Sequence, residues 1–242
     1  MTPLRRDVGP ATAMRVHEAT HVMPSNTGRF WSGKGVCLRL AFQSGLLATL
    51  FVAPAHALDA TTSVSAQDVQ AKIAYCEVCH GPSARGFVGY YPIPRLAGQQ
   101  VAYIENQLRG FIDRKRTNPI MANVAHTLSP AMLTALAAKL HDLNPKPLGG
   151  APAERLAAGE KIYKEGVPSA SVPACAGCHG AEAKGNEQFP RLAGQLYPYV
   201  VLQLTNWSTE RAEDLSGIMA PIAHNLNKSQ IEEVAAYVSG LE

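Results

Sequence analysis

The sequence predicts an all-α chain in which one small helical domain occurs twice. Three observations carry that reading. Apolar residues recur at helical spacing in several stretches. No alternating β-branched run is long enough for a sheet. Short words recur in the same order at a nearly constant offset of 96 to 99 residues, the mark of an internal repeat.

Length and composition agree. The 242 residues suffice for one large or two small domains, and 46% hydrophobic with 17% charged residues is an ordinary globular composition. The formal charge of +3 is unevenly spread. Residues 1–57 hold six Lys/Arg and two Asp/Glu, whereas residues 58–242 hold 16 and 17. The basic balance therefore belongs to the N-terminal stretch, and a nucleic-acid partner loses its support.

Residues 1–57 read as an export leader. Arg29, Lys34 and Arg39 form a positive region, Leu40 to Ala53 an apolar run, and Ala55-His56-Ala57 a small-x-small cleavage pattern. The run is short for a bilayer span, which needs about 20 residues. Cleavage after Ala57 is expected, with an uncleaved anchor as the alternative. Met14 and Met23 are alternative starts. Cys37 would leave with the leader.

Residues 58–143 and 153–242 are the two copies, joined by a Pro- and Gly-rich linker at 144–152. Each copy opens with a helix leading to a cysteine motif; the second runs from Glu154 to Lys164, with Leu156, Gly159 and Tyr163 near one face. A middle helix follows Pro-Arg-Leu-Ala-Gly-Gln (94–99 and 190–195), with stripes at Ile104, Leu108, Phe111 and at Val200, Leu204, Trp207. The closing helix starts after Ser129, an N-cap with Pro130 at the first helical position. Leu133, Leu136, Ala137 and Leu140 form its apolar face. In the second copy Asn227 is the cap, and Ile231, Val234, Ala235 and Val238 the face.

The chemistry lies in a duplicated pentapeptide, Cys76-Glu77-Val78-Cys79-His80 and Cys175-Ala176-Gly177-Cys178-His179. Cys-x-x-Cys-His is the attachment signature of c-type haem. Two thiols one helical turn apart reach the two vinyl groups, and the histidine follows as proximal iron ligand. Two haem c groups are thus expected, one on Cys76 and Cys79, one on Cys175 and Cys178. Zinc would need two cysteine pairs in one domain, and thioredoxin-like redox a βαβ context; neither is present. Export and haem attachment support each other, because covalent haem c is assembled outside the bacterial cytoplasm.

The second axial ligand comes from counting. The second copy holds a single methionine, Met219, and the first holds Met121 and Met132. Met121 aligns with Met219; the intervals from His80 and His179 are 41 and 40 residues. His/Met ligation is a known haem c arrangement. Both methionines are expected in irregular stretches before the closing helix. His126 and His224, five residues further on, are the rival ligands and read as partly exposed. His141 reads as a surface residue. Pro94 and Pro190 read as turns aiming a carbonyl at the proximal Nδ1–H. For Arg95 and Arg191 two readings stand: partners of haem propionates, or surface arginines. Tyr103, Gln107, Tyr199 and Gln203 read either as support for the haem crevice or domain interface, or as plain helix-face residues.

These residues resemble a family. Tandem class I cytochrome c domains bearing Cys-x-x-Cys-His-Gly (Gly81, Gly180), Pro-Arg-Leu-Ala-Gly-Gln and Met-x-x-x-Ala-His-x-Leu are similar to the dihaem cytochrome c4 family over residues 60–242. The resemblance implies two His/Met-ligated haems packed across a pseudo-twofold in a periplasmic carrier. It implies electron flow from a quinol-oxidising complex, quinol–cytochrome c reductase, towards a terminal oxidase. The first copy departs at Gly86-Phe87-Val88-Gly89-Tyr90-Tyr91, bulkier than the polar Lys184-Gly185-Asn186-Glu187, so unequal haem surroundings are expected. Residues 58–149 carry net +3 and residues 150–242 net −4, which would orient docking or be incidental.

Three functions compete. The first is a diffusing electron carrier, not an enzyme, with redox-protein partners and no small-molecule substrate; loose membrane association stays open. The second is a haem enzyme, such as a dihaem peroxidase or a thiosulfate dehydrogenase. The third is the dihaem subunit of a periplasmic dehydrogenase, such as a flavocytochrome sulfide dehydrogenase. The body of the chain has no spare cysteine for the ligand a thiosulfate-type site commonly uses.

Overall fold

The computed structural model describes residues 63–207 and 217–242. The expected leader, with Cys37 and the Ala57 cleavage position, lies outside them. Leu58–Glu242 forms one compact unit. Among the described residues the regular structure is helical, with only isolated antiparallel bridges at Phe87–Ile93, Val167–Val172 and Asn186–Phe189. No single described helix is long and apolar enough to cross a membrane.

The first copy is built from α1 (Ala66–His80), α2 (Val101–Ile112), α3 (Pro119–His126) and α4 (Pro130–His141). Ser65 caps α1, its Oγ accepting the Asp68 amide at 3.1 Å. Ser129 caps α4 through the Met132 amide, with Pro130 at the first helical position. The residues expected on the closing face, Leu133, Leu136, Ala137 and Leu140, are all buried. Leu136, Ala137 and Leu140 join Ile73 of α1 and Ile104 of α2 in one apolar cluster. Here α4 packs on both α1 and α2.

The second copy repeats this plan with one break. It comprises α5 (Leu156–Glu165), α6 (Ala176–His179), α7 (Tyr197–Thr205), α8 (Met219–Asn225) and α9 (Lys228–Gly240). The opening helix α5 stops at Gly166, well short of the cysteine motif. Gly166 has φ +75°, and a Cβ there would run into the Val172 carbonyl, so the chain makes a tight return, closed by the Val167–Val172 bridge. Leu156, expected on the apolar face of α5, is exposed, and Ile162 is buried with Gly159 and Tyr163 instead. Gly159 lets α5 lie directly against α9, since a Cβ would meet the Glu233 carbonyl. Asn227 caps α9 in a full capping box with Gln230. Ile231, Val234, Ala235 and Val238 are buried as expected and share a second cluster with Ile162 and Tyr163.

The two copies meet through hydrogen bonds arranged as a pseudo-twofold. Gln99 accepts the Arg191 amide and donates to the Arg191 carbonyl, at 2.7 and 3.0 Å. Gln195 does the same with Arg95, at 2.8 and 3.0 Å. Beside them Arg116 reaches from the first copy to the Tyr199 hydroxyl at 2.8 Å and Gln203 Oε1 at 3.3 Å, while also holding Gln107. The linker packs too: Pro147 lies against Gly194, where a side chain would not fit.

Candidate functional site

In the first copy the final turn of α1 carries Cys76 and Cys79, three residues apart and therefore on one helix face. His80 ends the helix and is buried. Gly81 then takes φ +76°, and a Cβ there would strike the Gly86 carbonyl; only glycine lets the chain turn so sharply. The loop is closed by the Gly86 amide donating to the His80 carbonyl at 2.7 Å, and by the Ala84 carbonyl accepting from Leu96 and Ala97. Folding back in this way brings the Pro94 carbonyl to 2.9 Å from His80 Nδ1. A carbonyl only accepts, so Nδ1 carries the proton and Nε2 keeps its lone pair.

The second copy reaches the same geometry from a different approach. Cys175 caps the short α6, Cys178 lies inside it, and buried His179 ends it. The Gly185 amide donates to the His179 carbonyl at 2.9 Å, and the Ala183 carbonyl accepts from Leu192 and Ala193. Pro190 presents its carbonyl to His179 Nδ1, again at 2.9 Å. The buried Tyr163 hydroxyl adds a bond to the Gly180 carbonyl at 2.5 Å. Burial pushes the pKa of both imidazoles below the ordinary histidine value, favouring the neutral ring that binds a metal. Burial also raises the Cys76 thiol, and lifts Cys175 to about 11.

Met121 and Met219 do not sit in irregular stretches. Each lies at the start of a short helix: Met121 in the first turn of α3, Met219 opening α8. Pro119 at the first helical position and the Asn118 side chain, which accepts the Met121 amide at 3.0 Å, start α3 where the sequence suggested a loop. Both methionines are half-buried. His126 and His224 lie in the last turns of the same helices and are exposed. Five residues along a helix turn the side chain by about 140°, so the methionine and the rival histidine occupy different faces. His141, expected at the surface, is exposed, yet its Nδ1 donates to the Gln99 carbonyl at 2.9 Å.

Arg95 is not a surface arginine. It is 3% exposed, and its guanidinium donates to the Ala97 and Pro145 carbonyls at 3.0 and 2.8 Å, and to Asn144 Oδ1 at 3.4 Å. It therefore ties the loop to the linker. Burial and the nearby Arg191 lower its pKa to about 10. Arg191 is half-buried and donates to the Ala193 carbonyl at 3.0 Å. Gln99, Gln195 and Arg116 were visible in the sequence only as parts of a repeated word or a basic turn. The usable signal was the identical offset of the two glutamines.

The donor set fits covalent haem. Each copy offers two thiols at one-turn spacing, a buried neutral imidazole with Nε2 available, and a thioether some 40 residues on. Among the described residues no three His, Cys, Asp or Glu side chains converge as a metal cluster, so neither cysteine pair has the further ligands a zinc site requires.

An all-helical tandem repeat carrying this site in each copy defines a c-type cytochrome. Comparison with known proteins bears this out. The cytochrome c family profile matches residues 156–242. Cytochrome c-552 of Acidithiobacillus ferridurans is 39% identical over 173 residues, covering 69% of this chain and 73% of that protein. The thiosulfate dehydrogenase electron acceptor of Thiomonas intermedia is 37% identical, covering 69% and 78%. Cytochrome c4 of Thiocapsa roseopersicina is 36% identical, covering 69% and 86%. The solved cytochrome c4 of Acidithiobacillus ferrooxidans superposes with a TM-score of 0.61 at 37% identity, covering 69% of this chain and 99% of that one. The chain belongs to the cytochrome c4 family, and so to the electron-transfer proteins that carry haem c.

Proposed function

We propose that residues 58–242 form a periplasmic dihaem cytochrome that shuttles single electrons between redox proteins, without being an enzyme itself. In this reading residues 1–57 are the export leader, 58–143 and 153–242 are the two haem domains, and 144–152 the linker. Cys76 and Cys79 anchor one haem c, and Cys175 and Cys178 the other. His80 with Met121, and His179 with Met219, are the axial ligands. Bound haem supplies one-electron chemistry in which no bond to a substrate is made or broken.

The observation that carries the reading is the duplicated histidine geometry. In both copies a buried imidazole is fixed by a proline carbonyl 2.9 Å from Nδ1. That bond sets the tautomer and ring orientation, and it raises the basicity of Nε2. Pro94 and Pro190 thus act behind the ligand. Arg95 and Arg191 shape the same loops through carbonyls of their own copy.

Two donors are consistent with the carrier. The first is a quinol-oxidising complex, with a terminal oxidase as acceptor. The second is a thiosulfate-oxidising dehydrogenase, favoured by the Thiomonas relative named as its electron acceptor. A solved thiosulfate dehydrogenase from Marichromatium purpuratum adds to it: the match has a TM-score of 0.63 at 32% identity and spans 36% of that chain. The test is to isolate the periplasmic fraction and weigh the protein. Two covalent haems and an N-terminus at Leu58 are expected; one haem, or a cytoplasmic protein, contradicts the reading. Stopped-flow mixing with each reduced donor then ranks the partners.

A further inference from the structure

We infer that Gln99 and Gln195 are positioning residues that tune each haem from the opposite copy. The inference rests on His80 and His179 being the proximal ligands. Two peptide groups carry it. The peptide joining Pro94 to Arg95 accepts the His80 Nδ1–H at its carbonyl (2.9 Å), while its amide donates to Gln195 Oε1 (2.8 Å). The peptide joining Pro190 to Arg191 accepts the His179 Nδ1–H at its carbonyl (2.9 Å), and its amide donates to Gln99 Oε1 (2.7 Å). Each proximal histidine is therefore one peptide plane away from a side chain of the other copy.

A peptide group is conjugated from nitrogen to oxygen. Withdrawing its N–H proton towards an acceptor puts more negative charge on its carbonyl, and hydrogen bonds in such a chain reinforce one another. A more negative Pro94 carbonyl pulls harder on the His80 proton and makes Nε2 more basic. A more basic ligand favours the ferric state. The glutamines are well placed to act in this way. Gln99 is 6% and Gln195 8% exposed, so water does not compete strongly for the bonds. Each is also clamped at the far end: Gln99 Nε2 donates to the Arg191 carbonyl, and Gln195 Nε2 to the Arg95 carbonyl, both at 3.0 Å. The loops carrying them are fixed to the closing helices by the Gly98 amide on Leu140 and the Gly194 amide on Val238. The two chains run in opposite senses across the interface, so each copy both tunes and is tuned.

The test replaces Gln195 with methionine, which keeps the length and removes all three of its bonds, to the Arg95 amide and carbonyl and to the Leu196 amide, and with glutamate, which keeps the acceptor. Potentiometric titration with NMR of the haem methyl groups assigns a midpoint to each haem. Gln195→Met is expected to favour the ferrous form of the haem on Cys76 and Cys79 by about threefold. That is about 28 mV upward at about 59 mV per tenfold for one electron. The haem on Cys175 and Cys178 should hold its midpoint. Gln99→Met should do the reverse, and Gln195→Glu should give no upward shift. An unchanged midpoint overturns the inference. So does a shift confined to the haem of the mutated copy, or a joint fall of both midpoints, which a loosened interface admitting water would produce. Should Gln195→Met fail to fold, Gln99→Met and Gln195→Glu still decide the matter. Low-spin spectra of the wild type check the ligand assignment separately, so its failure is not confused with failure of the relay.

Discussion

The first copy delivers its cysteine pair on the last turn of a fifteen-residue helix; the second delivers it on a four-residue one. In the second, Gly166 to Ala174 intervene as a loop held by the Val167–Val172 bridge. After the motif the contrast reverses in chemistry. The first copy exposes Phe87, Val88, Tyr90 and Tyr91, where the second has the polar stretch 184–188. Yet the turn after each histidine is pinned by the same bonds. The Gly86 and Gly185 amides donate to the histidine carbonyls, the Ala84 and Ala183 carbonyls each accept two amides, and both alanines have left-handed φ. This holds although 14 residues separate histidine from proline in the first copy and 11 in the second. The approach to the motif and the surface beyond it are free to differ. The turn that orients the imidazole is not.

That contrast can be broken at several points. The largest effect is expected at Gly159, where α5 touches α9 without a side chain between them. Gly159→Val forces the helices apart and should cost roughly 1–3 kcal/mol, read as a lower melting temperature. Next comes the second copy's added tether. Tyr163→Phe removes the bond to the Gly180 carbonyl, which keeps its bond from Ala183. A loss of about 1 kcal/mol is expected in denaturant melts. The caps follow: Asn227→Ala removes the side-chain half of the capping box while its backbone amide keeps its bond to Gln230, and it should cost about 1 kcal/mol, as should Ser129→Ala at the cap of α4. Tyr90→Ser, at a fully exposed ring, should change stability by no more than about 0.5 kcal/mol. A large loss there would mean that the aromatic loop supports its copy rather than decorating it.

How legible this was follows from the range of each interaction. Closing helices were readable because their burial is set locally: Leu133, Leu136, Ala137 and Leu140 are one, three and four residues apart, and the cap sits just ahead. The cysteine motifs were readable for the same reason. The proline carbonyls could be suggested because a repeated proline follows each motif at a modest distance. By contrast, the glutamine exchange joins residues 92 and 100 apart, and Arg116 meets Tyr199 across 83. Periodicity shows which face of a helix is apolar but not which copy that face meets. The short helices α3 and α8 were misread as irregular because each is only about two turns long, too short for a stripe to register. Arg95 was left between two roles because a lone arginine in a sequence carries no sign of burial.

The central claim is that the two copies hold chemically matched, closed iron sites. Optical spectroscopy of the purified ferric protein, wild type beside Met121→Ala and Met219→Ala, tests it most directly. The account predicts low-spin haem with a methionine–iron charge-transfer band that each variant reduces by about half, at a different haem, consistent with thioether ligation. A high-spin wild-type spectrum, or a band that survives both substitutions intact, would contradict it.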